Sequence, residues 1–396
     1  MIWQTKKLGE VLEKIVGGGT PSKNNPAYWG GDIPWASVKD IKENESILEQ
    51  TQDFITEAGL KNSSANLVPA GTLIIPTRMG LGRVVRTKID TSINQDLKAL
   101  FPKKELDTDY LLLFLKSKAE EIAEKGSGAT VSGIRLEHLK EIEIPLPPID
   151  EQRKIVKMLN EKMGKIGEAK RLRAEALTDT EKILPQTLHE IFEEGKKNGW
   201  EEKTISNVCI VQSGGTPSKT IPEYWDSNDI PWLRSESCRD KKVESAQLFI
   251  SKKGFENSSA KLLKPRTTLI ALVGATIGKT GFTTFESTTN QNIAGLYPLD
   301  ELVLLPEYLF IVAQNLYLKF TNLGSGKFKM ANLAFVKSLP ILIPPLAEQQ
   351  KIVAELDALS EKVRTLRDLQ TTQLADLKSL EKAYLREAFQ SEDVIE

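Results

Sequence analysis

"GGTPSK" stands at residues 18–23, Gly18-Gly19-Thr20-Pro21-Ser22-Lys23, and the same six letters return at 214–219. Gly, Pro and Ser at this density make a loop, because they interrupt both helix and strand. The echo continues outward on both sides. "NNPAYWGGDIPW" (24–35) answers "TIPEYWDSNDIPW" (220–232), and "FITEAGLKNSSANL" (54–67) answers "FISKKGFENSSAKL" (249–262). Asn94-Gln95 answers Asn290-Gln291, "KGSGA" (125–129) resembles "LGSGK" (323–327), and "PPIDEQRKIV" (147–156) answers "PPLAEQQKIV" (344–353). The offsets stay between 195 and 198, so one unit is written twice in the 396 residues. That period is far too long for a solenoid and implies two tandem, domain-sized copies.

Each copy has the same inner order. It opens with short apolar runs, such as Leu73-Ile74-Ile75 and Leu269-Ile270-Ala271-Leu272-Val273, closely punctuated by Gly, Pro, Asn and Ser. That pattern predicts short strands and turns. "LLLFLKSKAEEIAEK" (111–125) and "PEYLFIVAQNLYLKF" (306–320) read as helices, so the fold class is α+β. Then helix breakers thin out. Pro147-Pro148 and Pro344-Pro345 precede segments running to about Phe192 and Phe389, where Pro185 is the one internal proline. Proline suits the start of a helix.

In the first of these segments Val156, Leu159, Met163 and Ile166 alternate spacings of three and four. In the second, Leu356, Leu359, Val363, Leu366, Leu377, Leu380 and Tyr384 do the same, with Gln370 and Gln373 at intervening positions. This is a coiled-coil seam with a stutter. Forty helical residues extend about 60 Å, so pairing of the two helices is expected, and packing of each on its own domain is the alternative. The boundaries expected are 1–146 and 194–343 for the globular copies, with helices over 147–193 and 344–391.

Composition narrows the function. The chain has 53 basic and 54 acidic residues, which excludes a histone-like polycation but not a nucleic-acid binder, because local fields decide. Residues 196–345 hold 18 Lys/Arg against 13 Asp/Glu, whereas residues 1–145 hold 19 against 20. Two cysteines, Cys209 and Cys238, and two histidines, His138 and His189, are too few for a structural metal site, so no metal is expected. No run approaches the ~20 apolar residues of a membrane span, and the start lacks a signal-peptide core. A cytoplasmic protein with no membrane partner is the expectation.

Catalytic patterns fail one by one. "GATIGKT" (274–280) has three residues, not four, between Gly and Gly-Lys-Thr, and its repeat partner "RMGLGRV" (78–84) has Arg83 and Val84 in place of Lys279 and Thr280. Loop length sets how many N–H groups face a phosphate, so the miss counts against nucleotide binding. "NPAY" (25–28) faintly resembles the target-base loop of amino-methyltransferases, but "IPEY" (221–224) lacks the amide. No nucleophile–base set can be assembled twice from two histidines. No catalytic residue and no cofactor is therefore expected. Basic residues do gather on loops between strand-like runs. Arg78, Arg83, Arg86 and Lys88 lie in the first copy, and Arg234, Arg239, Lys241, Lys242, Lys279, Lys327 and Lys329 are among those in the second. Lys and Arg on Gly/Ser-rich loops suit phosphate contacts, and Arg also reads guanine edges.

The ordered set of "GGTPS", "YW", "DIPW", "NQ", "GSG" and "PP(I/L)…EQ(R/Q)KIV", written twice with a long helix after each, resembles the DNA specificity subunit of type I restriction–modification systems. The resemblance covers essentially the whole chain. It implies two target-recognition domains, each reading half of a bipartite asymmetric site in double-stranded DNA. It implies an antiparallel helix pair that sets the spacing and docks two modification subunits, with motor-nuclease restriction subunits joining that complex. On this reading the doubled loop grasps DNA twice, through Thr20, Ser22 and Lys23 and through Thr216, Ser218 and Lys219, beside Arg78, Arg83, Arg86, Arg234, Lys279, Lys327 and Lys329. Shared letters such as Trp29/Trp225 and Trp35/Trp232 build the fold; the differing segments 76–90 against 272–286, and 36–50 against 233–245, carry base readout. The segments after "GSG", "ATVSGI" and "KFKMAN", differ between copies, so contacts there do not transfer. The rival readings are a coiled-coil scaffold with two heads that bind no DNA, and a nucleotide hydrolase using 274–280.

Overall fold

The computed structural model describes residues 3–43, 45–126, 133–322 and 330–390. The chain divides into two compact units, Met1–Ala174 with Thr372–Glu396, and Glu175–Thr371. The cuts fall inside two long helices, the central helix Ile149–Lys197 and the distal helix Leu346–Gln390, and not at the prolines before them. Each half-helix belongs with the domain at its own end, because that is where its apolar stripe is buried.

In the first unit a five-stranded sheet runs in the order Leu12–Gly17, Leu97–Pro102, Leu73–Pro76, Val85–Thr87, Ile47–Leu48. Leu73, Ile74, Ile75 and Pro76 are all buried, as a central strand covered on both faces requires. A four-stranded sheet, Asp53–Ile55, Trp29–Ala36, Thr91–Ile93, Asn66–Val68, packs Ala36, Val68 and Ile93 in one cluster with Ile74, Val85 and Leu97 of the larger sheet. The helix Thr108–Ser117 covers the larger sheet with Tyr110, Leu111 and Phe114. Asp107 caps it, accepting from the amides of Asp109 and Tyr110.

That same core takes in Ile155 and Leu159 near the start of the central helix and Leu385, Ala388 and Phe389 near the end of the distal helix. The Phe389 ring packs edge-on against Tyr110 at 5.1 Å and Phe114 at 5.5 Å. Lys162 lies 4.3 Å over the Tyr384 ring, and Lys170 pairs with Glu381. As one helix number rises the other falls, so the two stretches run antiparallel.

The second unit repeats the plan. Its large sheet runs Cys209–Ser213, Ile293–Pro298, Thr268–Ala271, Thr280–Thr283, Lys241–Val243. Its small sheet keeps three strands, Leu248–Ile250, Ile230–Leu233 and Thr288–Thr289; a single bridge, Leu263 to Ser287, stands where the first domain has a fourth. Leu188 and Phe192 of the central helix and Ile352 and Leu356 of the distal helix join the core around Tyr308. The central helix ends at Lys197, and Gly199 just beyond it has a φ of 72°, which suits glycine after a helix end. A β-carbon at Gly195 would sit 2.2 Å from the Trp200 ring, so glycine there admits the indole onto Phe192.

Of the seam residues, Leu159, Ile166 and Leu356 are buried, and Val156, Met163, Leu359, Val363 and Leu377 are half-buried. Leu366 and Leu380 differ from the expected stripe, at 42% and 41% exposed. Gln370 is buried where a leucine would continue the pattern. The apolar contact therefore concentrates where a helix meets a domain core and thins between.

Candidate nucleic-acid interface

The doubled loop owes its spelling to close packing. A β-carbon at Gly18 would lie 1.9 Å from the Ile93 carbonyl oxygen, and one at Gly214 would lie 1.9 Å from that of Thr289. At Gly19 and Gly215 it would lie 2.1 Å from the Ser64 and Ser259 hydroxyls. Two indoles then pin each loop. Trp35 donates to the Gly19 carbonyl at 3.0 Å and Trp29 to that of Ser22 at 3.2 Å. Trp232 and Trp225 repeat this on Gly215 and Ser218 at 2.9 and 3.2 Å. Each indole pair is edge-to-face, at 5.1 and 5.0 Å.

Thr20 and Thr216 donate to the side chains of Gln95 and Gln291, which explains the doubled "NQ". What each loop leaves outward is Ser22 and Lys23, or Ser218 and Lys219, all exposed. In the first domain an open cleft of about 670 Å³ gathers Thr20, Lys23, Lys39, Met79, Gln95 and Asp96. Lys39 falls within the segment 36–50, read from the sequence as carrying base readout, but does not stand out there as a single residue, because it sits in a short turn with no repeat counterpart of like charge.

The basic candidates differ sharply in availability. Arg78 is exposed, 3.7 Å from Asp96. Burial lowers the proton affinity of its neighbour Lys98, with Asp96 opposing and the Arg78 charge adding to the shift. Arg83 is half-buried and donates to the Ile41 carbonyl at 2.9 Å, bracing a turn. Arg86 pairs with Asp109 at 2.7 Å. Lys279 pairs with Asp240 at 2.6 Å and covers the Tyr317 ring at 4.6 Å. Arg234 is exposed, 3.7 Å from Glu236. Lys327 and Lys329, with Ser127, Gly128 and the second "GSG" stretch at 324–326, lie outside the described residues.

Lys279 also bears on the nucleotide reading. The turn at Gly274–Thr276 leads into the strand Thr280–Thr283, not a helix whose N-terminus could face phosphate. The lysine ammonium is held by its own carboxylate. Burial pushes the thiols of Cys209 and Cys238 up to about 12, so both are poor nucleophiles at neutral pH.

The doubled "EQ" is a fastening. Gln152 donates to the carbonyls of Glu105 at 2.8 Å and Pro147 at 2.9 Å and accepts from the Asp107 amide at 2.8 Å. Gln349 does the same with Val303, Pro344 and Leu305, at 2.8, 2.9 and 2.9 Å. Both are fully buried. Each ties the start of a long helix to the loop entering the domain's covering helix.

A family model described as "Type I restriction modification DNA specificity domain" matches twice, over residues 2–174 and 197–373. The chain belongs to this family. Each match takes in one domain and the first half of the helix that follows it. Among members of the specificity family, the chain is 27% identical over 385 residues to the type I restriction enzyme MjaIX specificity subunit of Methanocaldococcus jannaschii, covering 91% of this chain and 87% of that one. It is 36% identical over 165 residues to the EcoR124I/EcoR124II specificity subunit of Escherichia coli, 40% of each chain. The crystal structure of the HsdS subunit from Thermoanaerobacter tengcongensis has the same fold, with a TM-score of 0.61 at 22% identity over 98% and 97% of the two chains. A chain from a type I R-M system studied for complex assembly superposes at a TM-score of 0.79, with 23% identity and 98% coverage of each. Among the described residues no helix is long and apolar enough to cross a membrane.

Proposed function

We propose that this chain is the non-catalytic DNA-recognition subunit of a type I restriction–modification complex. The partition is 1–146 and 194–343 as target-recognition domains, with the two long helices between and after them. Each domain reads one half of a bipartite, asymmetric site. The helix pair sets the spacing between half-sites and docks two modification subunits, which carry the methyl-transfer chemistry; motor-nuclease subunits join through that complex.

The observation that carries this reading is the pair of twin scaffolds with unlike outer surfaces. The Trp-pinned loops and the buried glutamines are the same twice, while the exposed side chains around them differ, as two heads reading different sequences require. Contacts to phosphate and base edges are assigned to the exposed groups Ser22, Lys23, Arg78, Ser218, Lys219 and Arg234, with Lys39 added. Thr20, Thr216, Arg83, Arg86 and Lys279 are bound internally, and their part is to hold loop shape.

Mapping of methylated adenines in cells carrying this chain and its partner subunits tests the proposal. A two-part methylated sequence with an unspecified spacer is the expected result. Lys219→Ala with Arg234→Ala is expected to weaken methylation through one half-site. Methylation at a continuous, single-part site would end the two-headed reading.

A further inference from the structure

The two domains carry a surface notch at the same place in the fold, beside the edge strand of the larger sheet, and line it with opposite charge. In the first domain a notch of about 530 Å³ runs along Ile47–Leu48, and its charged lining is Asp40, Lys42, Glu45 and Glu49. Lys42 is neutralised by Glu45 at 2.9 Å, and Glu49 is held by Lys88 at 2.9 Å. In the second domain a notch of about 290 Å³ runs along Lys241–Val243, lined by Arg234, Arg239, Lys241 and Lys242 against Glu236 and Glu244. One base against three acids has become four bases against two.

We infer that the second domain's notch, through its Arg239–Lys241–Lys242 side, supplies a sequence-independent attraction to DNA phosphates that the matching notch of the first domain does not. The inference rests on the DNA-recognition reading above. Among the described residues Lys241 and Arg239 have no carboxylate within ion-pair distance, and the Arg239 guanidinium donates only to the Glu236 carbonyl, at 2.9 Å. Lys242 stands 3.6 Å from Asp357, both more than half exposed, a pair weak enough to exchange for a phosphate. Exposed cations of this kind release condensed counterions when they meet the duplex, so their number sets the salt dependence of binding. The domain charges agree in sign: 18 Lys/Arg against 13 Asp/Glu over 196–345, and 19 against 20 over 1–145. Lysines on an exposed edge strand also discourage strand pairing between molecules, and the experiment separates the two roles.

The full chain is titrated into a fluorescein-labelled random-sequence duplex of about 40 base pairs, over about 50 to 200 mM KCl, where phosphate contacts dominate. Lys241→Gln with Lys242→Gln is expected to reduce the slope of log K against log salt by about two and to weaken binding about tenfold. Lys42→Gln in the first domain is expected to change neither, and Glu45→Lys to steepen the slope by about one. If the native chain binds but the double variant keeps its slope, or if Lys42→Gln lowers it as much, the inference fails while the recognition reading stands. An unchanged slope with increased self-association assigns the lysines to edge protection and likewise overturns it. A native chain that binds no duplex under any of these conditions removes the recognition reading and the inference together.

Discussion

Gly71 and Arg266 occupy one position of the two domains, and they solve it differently. Both backbones are left-handed, with φ of 89° and 66°, and both amides donate to the matching strand, Gly71 to Thr87 at 2.6 Å and Arg266 to Thr283 at 2.7 Å. Glycine adopts this conformation at no steric cost. Arginine does not, at about 1–2 kcal/mol, but its guanidinium forks onto Glu307 with two bonds of 2.7 Å and reaches Glu301 at 2.7 Å. The same backbone is thus held by local freedom in one domain and by an ion cluster in the other. The scaffold tolerates different chemistry wherever the backbone path can be secured by some other means.

Where no other means exists, the copies are forced to agree, and the largest predicted effects lie there. Gly18→Ala and Gly214→Ala each push a β-carbon into a backbone carbonyl that cannot yield. Both are expected to destabilise their own domain by about 3 kcal/mol or more, read from tryptophan fluorescence in urea. Equal losses sharpen the comparison. A loop that accepts alanine in one domain breaks it.

Next come the glutamine fastenings. Gln152→Leu and Gln349→Leu each strand two carbonyls and one amide in the core, at a cost of about 2–4 kcal/mol. Thermal melts of the two variants should shift by similar amounts. A shift in one alone would mean that the twin hydrogen-bond sets are not energetically equivalent.

The smallest effect concerns the position that differs. Arg266→Ala keeps the strained backbone and loses the ion cluster, so a loss of about 1 kcal/mol is expected. Arg266→Gly also loses the cluster but relieves the strain, and should stay within about 0.5 kcal/mol of the native chain. The pH response separates them further. The hydrogen bond from Arg266 leads in holding the Glu307 carboxyl below the ordinary range, whereas the Tyr297 hydroxyl leads at Glu301, with Arg266 adding to it. A depressed folded value contributes stability above the ordinary carboxylate pKa, near 4.3, and that stability is lost as pH falls through the folded value. Acid should therefore weaken the second domain at this place, and Arg266→Gly should flatten that dependence. An unaltered pH profile in the variant would remove the ion cluster from the account.

Much of this was legible in the letters. The two α+β domains and both long helices follow from the repeat, the doubled prolines and the three-four spacing, whereas the antiparallel direction comes only with the family resemblance. The site was legible only in part. Arg83 and Lys279 look like free loop cations in the sequence, yet one is turned to the Ile41 carbonyl and the other to Asp240, because partners about 40 residues away close over them. Leu366 and Leu380 satisfy the seam spacing yet are exposed, since spacing fixes which residues share a face but not whether anything covers it.

What the sequence determined by itself is therefore the repeated plan. Glycine, proline and apolar periodicity act over a few residues, and their doubling announces a doubled fold. The tertiary structure alone decided which polar groups are occupied. That choice depends on side chains brought together from distant parts of the chain, where a carbonyl or a carboxylate within 3 Å takes a charge out of reach of any ligand, and where the same notch is left acidic in one domain and basic in the other.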